Sequence, residues 1–277
     1  EFPGGKIEHG ESPHDALARE LNEELSIETI HATPWITRTF SYPHANTRLK
    51  LFLVHEWRGE PRGREHQQLS WQNPHDVNVD PLLPANHDIM DALRLPTVYA
   101  ISQAGKLGID VFMQRLRIAL DNGVRLVQIR EKEMSPADLE KFARNVVELC
   151  HARGARVLLN SNTSLARETG ADGVHLQTAQ FMNRQAAPVT DMLWAASCHD
   201  REELLHAARL GADFAVLSPV LPTQSHPGAP VLGWDGFRMA ARDLPRPVEA
   251  LGGMQAGLLD SARKYHAHGI AMLSGVW

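Results

Sequence analysis

Leu17, Leu21 and Leu25 stand at i, i+4 and i+8, an apolar stripe that predicts a helix lying on a core. Ser12 is a plausible N-cap for it, with Pro13 at the first helical position and Asp15 in the first turn. Ser26 sits where the helix should end, in the place a left-handed cap would occupy. Two apolar, β-preferring runs follow, Thr33–Ser41 and Leu49–Trp57, and read as strands. A charged, glycine-containing loop runs from Arg58 to Glu65, and Trp71–Gln72 starts a further short strand. Pro81–Pro84 leads to Ala85 and Asn86, with Asn86 placed to cap a helix reaching about Leu93.

From Thr97 the texture changes to short apolar runs alternating with amphipathic helical stretches. The strands expected are Val98–Ser102, Arg125–Arg130, Arg156–Asn160, Gly173–Leu176, Leu193–Ser197, Phe214–Ser218, Val248–Leu251 and Gly269–Ser274. Helices fill most gaps, as at Pro136–Ala152 behind a Ser135 cap and at Arg201–Leu210. A loose echo recurs in AspAsnGlyValArgLeuVal, ThrGlyAlaAspGlyVal, LeuGlyAlaAspPheAla and HisAlaHisGlyIleAla, where glycine ends a helix before a strand begins. Such alternation over roughly 180 residues predicts a (β/α)8 barrel. The division expected is therefore an α/β domain over residues 1–95 and a barrel over 96–277.

Barrels of this kind carry their chemistry at the C-terminal ends of the strands. That rule selects Gln128, Arg130 and Lys132, then Asn160-Ser161-Asn162, His175, Ser197-Cys198-His199, and the Ser218–His226 stretch. It also selects Gly252-Gly253 and Ser274-Gly275. Two cations on one rim, with glycine-rich amides after the last two strands, describe an anion cage suited to phosphate. His199 and His226 face the same mouth and are candidate acid–base groups.

Composition narrows the classes. The chain has 277 residues, 43% of them hydrophobic, enough for sizeable cores. Its net charge of −5, with 15 histidines uncounted, gives no general attraction for nucleic acid or an anionic membrane. No apolar run is long enough to span a bilayer, and no signal peptide is recognisable. Cys150 and Cys198 make no disulfide framework; each reads as a small buried hydrophobe, and a reducing cytoplasm is expected. The chain opens at Glu-Phe-Pro-Gly-Gly with no initiator Met or strand ahead of its first helix, and it ends at Trp277, so both ends look clipped.

The sharpest chemistry lies in the first helix. Glu20, Glu23 and Glu24 share one face, where three carboxylates repel one another if no cation is present. Read with the glycine-framed loop before it, the stretch resembles the Nudix box: Gly5, Glu11, Arg19, Glu20, Leu21, Glu23, Glu24 and Ile27 fall in register, and Ser26 replaces a glycine. The GlyGluPro…GlyArgGlu loop and the LeuProAlaAsn segment extend the resemblance to MutT-type Nudix enzymes, which hydrolyse oxidised purine nucleoside triphosphates such as 8-oxo-dGTP. The resemblance implies an α/β/α Nudix domain, incomplete at its start. It implies Mg2+ or Mn2+ held by Glu20, Glu23, Glu24, Glu65 and the Gly4 carbonyl, with those four glutamates catalytic and with Phe2 and Asn86 on the base. Hard divalent cations take oxygen ligands and asparagine offers both a donor and an acceptor, so the chemistry agrees.

The second half resembles thiamine-phosphate synthase and its TenI relatives through GlnIleArgGluLys, AlaAspGlyValHisLeu, SerCysHis, SerProValLeuProThr and AlaLeuGlyGlyMet. By that resemblance Gln128, Arg130, Lys132, Asn160 and Ser197 would hold a pyrimidine pyrophosphate. Thr223, Ser225 and Gly253 would hold a thiazole phosphate. The pattern has metal carboxylates where this chain has Ser161 and Gln180, a lysine at His226, and a TenI histidine near Ser218 or Pro219. The function expected is a Mg-dependent pyrophosphohydrolase of DNA-repair type fused to a phosphate-binding barrel. The alternatives are a thiamine-phosphate synthase, or a barrel that binds such phosphates without turnover.

Overall fold

The computed structural model describes residues 1–277 apart from 43–44, 65–67, 224–227 and 229. Two compact units divide it, Glu1–Leu95 and Pro96–Trp277.

In the first unit, helix α1 (Pro13–Leu25) begins as its sequence dictates. Ser12 is extended and its hydroxyl accepts from the Asp15 amide, with Pro13 next in line. The helix stops at Ser26, which takes the left-handed conformation at φ 58°. Leu21 and Leu25 are buried with Ile27, and Leu17 and Val54 pack on them. Strands β1 (Glu28–Tyr42) and β2 (Ala45–Arg58) pair antiparallel, from Glu28 opposite Arg58 to Tyr42 opposite Ala45. Both extend beyond the runs expected from hydrophobicity. Register shifts break the ladder around His31 and between Pro34 and Thr37. Proline has no N–H to donate, and a bulge accommodates it.

Helix α2 (Pro84–Leu93) corrects the expectation for Asn86. The N-cap is Leu83, Pro84 opens the helix, and Asn86 lies within the first turn, its amide donating to the Leu83 carbonyl at 2.8 Å. Asn86 is buried, not a cap. Ile89 and Ala92 of α2 join Trp35 and Ile36 of β1 in a small core. Trp71–Gln72 starts no strand; an isolated bridge joins Asn73 and Asp76 instead.

The second unit is a closed barrel of eight parallel strands: β3 (Val98–Ile101), β4 (Leu126–Ile129), β5 (Arg156–Asn160), β6 (Gly173–Leu176), β7 (Leu193–Cys198), β8 (Phe214–Leu217), β9 (Val248–Leu251) and β10 (Gly269–Met272). Strand β10 closes on β3, Ile270 opposite Val98. Every expected strand is present, four of them trimmed at an end and β7 one residue longer than expected. Around them run α3 (Ala104–Leu107), α4 (Ile109–Asp121), α5 (Pro136–His151), α6 (Thr163–Thr169), α7 (Thr178–Phe181), α8 (Arg201–Arg209), α9 (Gly233–Ala241) and α10 (Leu259–Lys264). Their apolar faces share one core with the outward residues of the strands, Phe112, Phe142, Val146, Trp194 and Phe237 among them.

Three of the four glycine echoes behave as expected: Gly123, Gly170 and Gly211 all have positive φ after a helix. At the fourth, His266 takes the left-handed turn at φ 73°, and Gly269 already belongs to β10. Glycine is needed at 269 for a different reason. A Cβ there would lie 2.2 Å from the Thr97 carbonyl oxygen.

Candidate functional site

In the first unit the glutamate face is organised by a cation on the same helix. Arg19 donates from Nε to Glu11 Oε1 at 2.9 Å, from Nη2 to Glu11 Oε2 at 3.0 Å, and from Nη2 to the Lys6 carbonyl at 3.0 Å. Its Nη1 reaches Glu20 at 2.9 Å and Glu23 at 3.3 Å. One guanidinium thus spans the glycine-framed loop and two of the three glutamates, relieving the repulsion expected of the carboxylates alone. The hydrogen bond from Arg19 holds the Glu11 carboxyl below its ordinary range. Arg19 stood in register with the box, but its clamping role had no separate sign in the sequence.

The loop also reaches the third glutamate. The Gly4 amide donates to Glu24 Oε2 at 3.1 Å, so Gly4 sits beside the carboxylate face. Gly5 passes so close that a Cβ would stand 2.2 Å from Glu20 Oε1, so any larger residue would have to displace the Glu20 carboxylate. Glu20 is largely covered, with 16% of its side chain exposed, whereas Glu23 is 57% exposed. Among the described residues no three His, Cys, Asp or Glu side chains converge as a finished metal site. The all-oxygen donor set of Glu20, Glu23, Glu24 and the nearby Gly4 nevertheless suits a hard divalent cation. Glu65 lies outside the described residues. Phe2 is exposed. The buried Asn86 side chain makes no hydrogen bond among the described residues, which leaves its amide available to a ligand.

In the barrel, adjacent strands end in register, Ile129 beside Leu159 and Asn160 beside His175, so Arg130 and Asn160 emerge at the same end. Arg130 and Lys132 form no ion pair with described residues. Glu131, between them, turns away and caps α3, accepting from the Ala104 amide at 2.7 Å and the Gly105 amide at 2.8 Å. The loops after β8, β9 and β10 are pressed together. A Cβ on Gly253 would meet Leu221 and the Pro222 oxygen at 2.8 Å, and one on Gly275 would meet the Met254 oxygen at 2.6 Å. Among the described residues, the amides of Gly253, Ser274 and Gly275 donate to no backbone oxygen outside the regular elements. Thr223 is engaged by a partner, while Ser225 and His226 fall outside the described residues.

Below the mouth runs a buried polar chain. Gln128 Nε2 donates to Tyr99 Oη at 3.0 Å, Tyr99 Oη meets His175 Nδ1 at 3.1 Å, and His175 Nε2 meets Ser197 Oγ at 2.7 Å. Tyr99 also touches Phe214 edge-on, at 5.3 Å between centroids. Strands β3, β6 and β8 are not neighbours, so these side chains fill the barrel interior. Burial, then the Arg130 charge, drives the His175 pKa down to about 3, so the ring is neutral. Burial pushes the Tyr99 hydroxyl up. Gln128 is therefore a buried donor to Tyr99, and only Ser197 of this chain reaches the rim.

His199 does stand exposed at the mouth. Its Nδ1 and its amide both bond the Glu203 carboxylate, at 3.0 and 2.7 Å. Cys150 and Cys198 are buried and unpaired, their thiols pushed up by burial, Cys150 to about 12.

The family model for thiamine monophosphate synthase matches residues 98–276, and that for the NUDIX domain matches residues 1–93. The chain belongs to both families. A putative thiamine-phosphate synthase 2 of Aquifex aeolicus is 35% identical over 183 residues, 66% of this chain and 98% of that protein. An 8-oxo-dGTP diphosphatase of Escherichia coli is 39% identical over 94 residues, 34% of this chain and 73% of that protein. A thiamine phosphate pyrophosphorylase structure from Pyrococcus furiosus superimposes with a TM-score of 0.54 at 25% identity, covering 64% of this chain and 85% of that one. The first unit is thus a Nudix hydrolase domain and the second a synthase-type barrel. Among the described residues no helix is long and apolar enough to cross a membrane.

Proposed function

We propose that the Nudix unit hydrolyses a nucleoside triphosphate of the oxidised-purine class, 8-oxo-dGTP foremost, to the monophosphate and pyrophosphate. The Arg19 clamp carries this reading. It fixes the loop on the helix so that Glu20, Glu23, Glu24 and the Gly4 backbone stand together.

Glu20, Glu23, Glu24, Glu65 and the Gly4 carbonyl would hold the divalent cation. Bound Mg2+ or Mn2+ supplies charge neutralisation on phosphate oxygens and acidification of water. A glutamate of this face takes the proton as a water oxygen bonds to phosphorus. The P–O bond bridging the α- and β-phosphorus breaks, and its electron pair leaves with the phosphate group not attacked by water. Asn86 and Phe2 engage the base, Asn86 as donor and acceptor and Phe2 by stacking. Reaction of 8-oxo-dGTP and dGTP side by side tests the assignment. Pyrophosphate released faster from the oxidised nucleotide supports it; release of inorganic phosphate, or no preference, contradicts it.

The barrel binds a phosphate ester of the thiamine-precursor type, a thiazole phosphate before a pyrimidine pyrophosphate. Arg130, Lys132 and the amides of Gly252, Gly253, Ser274 and Gly275 would surround the phosphate, with Asn160, Ser197, Thr223 and Ser225 beside it. Ser161 and Gln180 place synthase turnover second to binding. The two buried free thiols suit a reducing cytoplasm.

A further inference from the structure

The positions where the synthase pattern has metal carboxylates hold a hydrogen-bonded clip here. Gln180 Nε2 donates to the Ser161 carbonyl at 3.0 Å, while Gln180 Oε1 accepts from the Gln177 amide at 3.0 Å. Both ends of that amide are spent. Ser161 is held from its other side as well: its N–H donates to the His175 carbonyl at 2.9 Å, and its Oγ accepts from Asn160 Nδ2 at 3.0 Å. The serine sits at φ 62°, a conformation L-residues adopt when their surroundings fix it. The segments after β5 and β6 are thus joined directly, by an amide.

The other carboxylates of this rim are committed. Glu131 accepts from Ser102 Oγ and from two amides of α3. Glu203 accepts from His199 twice and from Thr178 at 3.2 Å. Asp200 caps α8 through the Glu203 amide at 2.9 Å. Glu133 and Asp200 are exposed, but Asp200 is engaged as the cap, and the one uncommitted carboxylate left is a poor cage for a cation that demands several oxygens. The residues present do not fit Mg2+. What remains at the mouth is cationic, Arg130 and Lys132.

We propose that the barrel takes a phosphomonoester without a divalent cation, and that the Gln180–Ser161 clip replaces the metal. A phosphomonoester dianion is matched by two side-chain cations and a ring of amides. Pyrophosphate carries more charge, which such sites ordinarily neutralise with metal. The inference rests on the barrel being a phosphate site.

The test is calorimetric titration of the full chain with inorganic phosphate, a simple alkyl phosphate and pyrophosphate, each in excess EDTA and in Mg2+. The component lost in Arg130→Ala, and independently in Lys132→Ala, is the barrel's. The expected result is monoester binding that changes less than about twofold between EDTA and Mg2+, with about a tenfold loss in either variant. Ser161→Asp with Gln180→Asp should make pyrophosphate binding at this component respond to Mg2+. Monoester binding that appears only with Mg2+ overturns the inference while leaving the phosphate site standing. No rim-dependent binding under either condition overturns the phosphate site itself.

Discussion

Arg19 holds Glu11 by two parallel hydrogen bonds, at 2.9 and 3.0 Å, across eight residues of sequence. The pair ties the glycine-framed loop to the helix that carries the glutamates. Arg19→Lys keeps the charge but loses the planar fork. It should lower the hydrolysis rate by on the order of 10²-fold through misplacement of the face, with little change in melting temperature. A steady-state rate beside a melting curve checks this.

Gly5→Ala probes the same face from the loop side. The added methyl would stand 2.2 Å from Glu20 Oε1, so loop and carboxylate cannot both keep their places. Hydrolysis should fall sharply while the barrel component of phosphate binding is unchanged. Unaltered hydrolysis would show that the loop does not lie on Glu20 in the working enzyme.

His175 is neutral in the folded barrel, its pKa lowered to about 3 by burial and by Arg130. The unfolded chain takes up a proton near the ordinary value of about 6.5. Stability is therefore fully present above that value and is lost as pH falls from it toward 3. NMR of the imidazole should show no titration of His175 down to pH about 5. Removing its partner with Tyr99→Phe leaves Nδ1 without that hydrogen bond and should cost about 1–3 kcal/mol.

Glu249 bounds the other side. It is wholly buried, both carboxyl oxygens lack a hydrogen-bond partner among the described residues, and burial raises its pKa well above the ordinary range against the pull of Arg263. A raised acid keeps its proton when folded. Stability is full below the unfolded value of about 4.3 and declines as pH rises through the folded value, by at most about 1.4 kcal/mol per pH unit. Glu249→Gln should remove that slope. Melting temperatures of the two proteins across neutral pH test it, and parallel curves would contradict it.

Much of the barrel was legible because each of its βα units carries a local pattern, an apolar run of strand length and a helix of period 3.6. The first-helix caps, Ser12 and Ser26, were legible for the same reason. What failed was either decided by a neighbour or non-local. Asn86 resembled a cap, but Pro84, pre-set for a helix opening, moved the start upstream and buried the asparagine. His266 took a turn that the glycine echo assigned to Gly269, since close packing against Thr97 had already claimed that glycine. The chain from Gln128 through Tyr99 and His175 to Ser197 joins side chains up to 76 residues apart in one bond, and no periodicity announces it. The Gln180–Ser161 bond is of the same kind. The departures from the family pattern were visible, but the bond between them was not.

The most direct test of the account is pyrophosphate release from 8-oxo-dGTP in Mg2+ by the full chain and by Glu24→Gln. The substitution keeps the shape that accepts the Gly4 amide and removes the charge. The account predicts a loss of on the order of 10²-fold or more in the variant. Equal rates in the two proteins would contradict it.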